Sequence, residues 1–132
     1  MNTGFSNQDL TGALPAGLGD LGPALKTLSL DGNQISELPT EIGTLTGLVE
    51  LRLNENAITA VPTELAALTG LVVLYLDNNQ LTGVPAEFRT VNPLYGCFLF
   101  GDPGFSCANV GAGTTCCTAD NCPAGTSTCY QG

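Results

Sequence analysis

From Leu25 to Pro93 the apolar positions recur every 23 residues without insertion or deletion, in LKTLSLDGNQISELPTEIGTLTG (25–47), LVELRLNENAITAVPTELAALTG (48–70) and LVVLYLDNNQLTGVPAEFRTVNP (71–93). Self-similarity at such a period predicts stacked coils, each burying its apolar side against its neighbours. Each unit opens with L-x-x-L-x-L, a period of two that predicts a short strand with Leu28, Leu30, Leu51, Leu53, Leu74 and Leu76 facing inward. Stacked strands make a parallel sheet. Pro39, Pro62 and Pro85 then open a return segment, where proline suits the first turn of a short helix. Ile42 with Leu45, Leu65 with Leu68, and Phe88 with Val91 give that helix a buried stripe at i, i+3. Glu41, Glu64 and Glu87 stand near its start, where helix-dipole compensation accounts for them better than a cation site does.

Asn33, Asn56 and Asn79 fall once per coil at the turn that leaves the strand. A buried amide there can satisfy backbone groups that the turn leaves unpaired, so these residues read as an internal structural ladder and not as a ligand site. Residues 1–24 read as an incomplete first coil, with Phe5 to Leu10 laid on Leu30 to Ile35, Phe5 in the core and Gln8 at the asparagine position. The chain thus divides into repeats over 1–93 and, over 94–132, a last strand with a cysteine-rich C-terminal cap. In that last strand Cys97 stands at an inward leucine position and Asp102 replaces the asparagine.

These units resemble the leucine-rich repeat family, most specifically over the three central coils and in outline from about residue 5 to residue 107. Leu10-Thr-Gly-Ala-Leu-Pro15 is similar to the plant-type variant, and Asp102-Pro-Gly-Phe-Ser-Cys107 to the element that closes many extracellular members. The resemblance implies an α/β fold: a right-handed solenoid with a parallel sheet on the concave face, short helices or turns on the convex face, and a disulfide-rich cap. It also implies a protein that binds other macromolecules.

Composition narrows the setting. Twelve acids against three bases give a net charge of −9, which argues against nucleic acid and anionic membrane surfaces as partners. Cys97, Cys107, Cys116, Cys117, Cys122 and Cys129 all lie in the last third of the chain, and there is no histidine. An even cluster without paired C-x-x-C knuckles points to disulfides rather than metal, and disulfides point to secretion. Fifteen pairings are open. With no signal segment and no apolar run long enough for a membrane span, the chain reads as a mature sequence whose leader has been removed.

Outward strand positions are free of core duty and carry the candidate site. Toward the C-terminal coils they converge on Val72, Val73, Tyr75, Tyr95, Phe98 and Phe100, flanked by Glu50, Arg52 and Asp77, a composition typical of interface hot spots. A cap folded back over Phe98 and Phe100 would instead make them core. The expected function is a secreted recognition module that binds a protein or glycan through its concave sheet. Two alternatives remain. One is an ice-binding or surface-adsorbing protein using hydroxyl columns, Thr11, Ser36, Thr59 and Thr82, with Thr40 and Thr63 beginning another. The other is a structural fragment that caps a longer array. No nucleophile with a base, phosphate loop or metal set is present, so neither an enzyme nor a cofactor is expected. An uncapped first coil predicts weak self-association through residues 1–10.

Overall fold

The computed structural model describes residues 1–82, together with Pro85, Glu87 and the backbone of Gly96–Phe98. Among the described residues five short parallel strands form the main sheet: β1 (Asn2–Gly4), β3 (Thr27–Ser29), β5 (Glu50–Arg52), β6 (Val73–Tyr75) and β7 (Gly96–Phe98), in that order. A second parallel pair, β2 (Thr11–Ala13) and β4 (Gln34–Glu37), follows the turn in the first two coils. From β3 onward the register advances by one repeat per strand, Leu28 beside Leu51 and Leu51 beside Leu74. The leucines therefore stack on themselves. Leu28, Leu51 and Leu74 are fully buried and belong to one cluster with Leu25, Leu48 and Leu71, and with Leu30, Leu53 and Leu76. Each such side chain contributes about 1.5–3 kcal/mol relative to exposure.

Among the described residues three 3-10 segments, Ala16–Leu21, Thr40–Thr44 and Thr63–Ala67, form the return side of the first three coils. The i, i+3 stripe is the period of this tighter helix, which has three residues per turn. Ile42 N–H donates to Pro39 O (3.1 Å), Leu45 N–H to Ile42 O (3.2 Å) and Leu48 N–H to Leu45 O (2.9 Å), so a chain of three-residue steps hands each coil to the next strand. Ile42, Leu45, Leu65 and Leu68 are fully buried on this path. The prolines stand one residue before the segment, not in its first turn: Pro39 and Pro62 are extended, with φ −73° and −67°. Their carbonyls accept the first turn's hydrogen bond, while the missing N–H costs nothing there.

Neighbouring coils approach closely on this side. A Cβ on Gly43 would lie 2.6 Å from the carbonyl oxygen of Glu64 in the next coil, so only glycine fits the present spacing. Phe5, expected in the core, is 46% exposed. Its N–H donates to Ser29 O at 2.7 Å, so its backbone is in place, but among the described residues a coil packs against it on one side only.

Candidate functional site

The side chains that alternate with the buried leucines form the outer face of the main sheet. On β5, Glu50 and Arg52 flank buried Leu51, and on β6, Val73 and Tyr75 flank buried Leu74. The register sets Glu50 beside Val73 and Arg52 beside Tyr75. Arg52 Nε donates to Glu50 Oε1 at 2.6 Å, and the guanidinium carbon lies 5.4 Å from the centre of the Tyr75 ring. One cation thus joins a carboxylate on its own strand to an aromatic on the next. The hydrogen bond to Glu50 raises the Arg52 pKa above its ordinary value; burial opposes the rise, and the charges of Glu50, Tyr75 and Asp31 add to it. The Arg52 side chain stays 47% exposed, so the pair adds at most about 1 kcal/mol to stability. Its main effect is to hold the Arg52 side chain in one place.

Past the strand ends, Asp31, Asn54 and Asp77 make the next outward column, all partly buried. Burial raises the Asp77 pKa most, a carboxylate being harder to ionise away from water, and the charge of Glu55 adds to the rise; its own backbone N–H and the Asn78 side-chain amide, 3.1 Å away, oppose it. At the opposite end of the strands Val49 and Val72 are 40% and 36% exposed. Both belong to the outward columns, and Val49 was not among the site residues expected from sequence. Its signal is its place one repeat before Val72. Of the remaining expected residues, Phe98 occupies the backbone register next to Tyr75, and Cys97 that next to Leu74. Tyr95, Phe100, Cys107, Cys116, Cys117, Cys122 and Cys129 lie outside the described residues.

The asparagines are fully engaged with the backbone. Asn56 Nδ2 donates to Leu30 O and Leu53 O, both 3.0 Å away in successive coils, and its Oδ1 accepts from Ile35 N–H at 3.0 Å. Asn79 repeats the set one coil on, with Leu53 O, Leu76 O and Ile58 N–H. Asn33 Nδ2 reaches Phe5 O and Leu30 O, and its Oδ1 takes both Gln8 N–H and Leu10 N–H. The hydroxyl columns are less regular. Thr11 pairs with Gln34, and Ser36 is the residue skipped where the β2–β4 register shifts. Thr40 and Thr63 turn their hydroxyls to the carboxylates of Glu41 (3.3 Å) and Glu64 (3.2 Å).

A parallel sheet advancing one coil at a time, leucines behind it and an asparagine in each turn, defines a repeat solenoid. Residues 23–81 match the family model described as leucine rich repeat. Among solved structures it is similar to a leucine-rich repeat protein of Leptospira interrogans, at 35% identity over 71% of this chain and 24% of that one, with a TM-score of 0.67. It is also similar to the BIR2 ectodomain of Arabidopsis thaliana, at 25% identity over 94% of this chain and 70% of that one, with a TM-score of 0.66. The chain spans about a quarter of the length of the Leptospira protein. No curated protein sequence matches it significantly. Leucine-rich repeat domains generally mediate binding between proteins. Among the described residues no helix is long and apolar enough to cross a membrane, and no group of His, Cys, Asp and Glu side chains could hold a metal ion.

Proposed function

We propose that this is a secreted recognition module whose outer sheet face, the concave side of the leucine-rich repeat fold, binds a protein partner. The observation that carries this reading is the Glu50–Arg52–Tyr75 arrangement, in which an exposed guanidinium and an aromatic ring are held in register on adjacent strands. A side chain already fixed loses little freedom when a partner closes over it, and arginine and tyrosine are the residues that most often dominate interface energies. Val73 and Asp77 lie on the same face, and Tyr95 and Phe98 are assigned to it by their columns in the sequence repeat. Secretion is supported by the six clustered cysteines and by the likeness to a protein described as an ectodomain.

The test is affinity capture from the extracellular fluid of the source, with the oxidised protein beside a Tyr75→Ala/Arg52→Ala double variant. A captured protein should bind the variant at least tenfold more weakly, as expected for loss of about 2 kcal/mol or more at a hot spot. Equal binding by a variant that unfolds at the same temperature would sink the assignment. Intact-mass measurement after alkylation under native conditions checks the compartment: no cysteine should take the label.

A further inference from the structure

The outer face changes character along the strand direction. Where the strands begin, Val49 and Val72 are both exposed, one repeat apart, and therefore neighbours at the roughly 4.8 Å spacing of adjacent strands. Where the strands end, Asp31, Asn54 and Asp77 form a single column, with Glu55 following Asn54 in the chain. Five residue steps of extended chain lead from Val49 to Asn54, a distance of roughly 16 Å.

The cations on this side of the molecule are already engaged elsewhere. Arg52 is paired with Glu50 and stacked near Tyr75. Lys26 Nζ donates to Gly47 O at 3.2 Å, at the end of the sheet away from the aspartates. Asp31 accepts from the Ser6 hydroxyl at 2.7 Å, and Asp77 from the Asn78 amide at 3.1 Å. Both donors are neutral, so neither carboxylate forms an ion pair among the described residues. The face therefore offers an apolar strip at one end and, at the other, carboxylates that form no ion pair among the described residues, on a ladder of strands that fixes the distance between them.

Resting on the recognition reading above, we infer that the partner presents a protein segment with an aliphatic or aromatic side chain for the Val49–Val72 strip and a lysine or arginine roughly 16 Å away for the Asp31–Asn54–Asp77 column. Charge complementarity selects this occupant over an acidic segment, which would meet like charge. The apolar strip selects it over a purely cationic one, because water would remain on both valines. The electrostatic half of the contact is solvent-accessible, so it weakens with salt, whereas the apolar half does not.

The experiment uses a phage library of random peptides about twelve residues long, enough to cross the sheet in extended form, selected on the oxidised chain. Peptides recovered should combine Lys or Arg with Leu, Ile, Phe or Trp. A synthetic peptide from the selection should bind at least about tenfold more weakly to Asp31→Asn/Asp77→Asn, and lose affinity about fivefold between roughly 50 and 500 mM NaCl. Selected peptides without a cationic excess, or with unchanged affinity for the Asn variant, overturn the inference; the recognition reading survives that result if Tyr75→Ala/Arg52→Ala still abolishes binding. Peptides that bind all three proteins alike, or a selection that recovers none, overturn both. Thermal unfolding of each variant confirms that the comparison is between folded proteins.

Discussion

Glu55 holds a backbone conformation that its side chain does not favour. The position before Gln8 and before each ladder asparagine is left-handed in every coil described, occupied by Asn7 (φ 54°), Gly32 (φ 68°), Glu55 (φ 56°) and Asn78 (φ 56°). Glycine has no Cβ to clash there, and asparagine tolerates the region. Glutamate carries the steric cost without that compensation, so Glu55→Gly should raise the free energy of unfolding by about 0.5–1 kcal/mol, the gain being limited by glycine's greater freedom in the unfolded chain. Urea denaturation measures it, and a loss of stability would show that the turn tolerates glutamate without strain. Asp77 carries a different kind of cost. Its folded pKa is raised, chiefly by burial, so the folded state holds the proton longer than the unfolded chain does. Stability then falls as pH rises from the unfolded value of about 3.9 through the higher folded value. Asp77→Asn removes that cost, and relative to wild type it should fare better at pH 7 than at pH 2.5. The opposite ordering in paired urea titrations would refute burial as the dominant cause.

Among the elements, the turn ladder binds coil to coil more specifically than the leucine stack, because each asparagine satisfies groups in two coils. Asn56→Ala would leave Ile35 N–H without its acceptor and strip a donor from Leu30 O and Leu53 O, at a cost of about 2–4 kcal/mol. Chemical denaturation is the measurement, and a change below about 1 kcal/mol would mean that water replaces the amide. Strands and asparagine spacing could be read in advance because three gap-free units repeat the same chemistry at the same positions. Helix type could not be, since Ile42 and Leu45 at i, i+3 fit both α and 3-10 geometry; the three-residue steps from Pro39 to Leu48 settle it as 3-10. The β2–β4 pair is not legible in the sequence, because Thr11-Gly-Ala and Gln34-Ile-Ser-Glu show little alternation and their pairing depends on the coil-to-coil spacing. The Glu50–Arg52 contact was visible only as two residues in outward columns. That they bond to each other is a matter of rotamers, which repeat patterns leave undetermined. The left-handed turn at Glu55 was signalled only by its repeat partners Gly32 and Asn78, because glutamate itself does not mark such turns.

At the scale of the molecule the dominant electrostatic fact is twelve acids against three bases on 132 residues. Like charges held close in the folded chain repel, and added salt screens them. Raising NaCl from about 10 to 200 mM should therefore raise the melting temperature by a few degrees, as followed by circular dichroism. A falling melting temperature would mean that favourable pairs outweigh the repulsion. Stability and partner binding are thus expected to respond to salt in opposite directions, which separates the two contributions in one titration series.

The ladder also has a direction. Asn56 completes the backbone of the coil before it, through Ile35 N–H and Leu30 O, and Asn79 does the same for Ile58 and Leu53. Each of these described coils needs its successor to close its turn. A ribosome delivers the chain N-terminus first at roughly 5–20 residues per second, so a 23-residue coil waits about 1–5 s for the residue that seals it. During that interval the newest coil on the nascent chain has unsealed backbone groups, and a chaperone acting during translation would find its substrate there, moving along the solenoid one repeat behind synthesis.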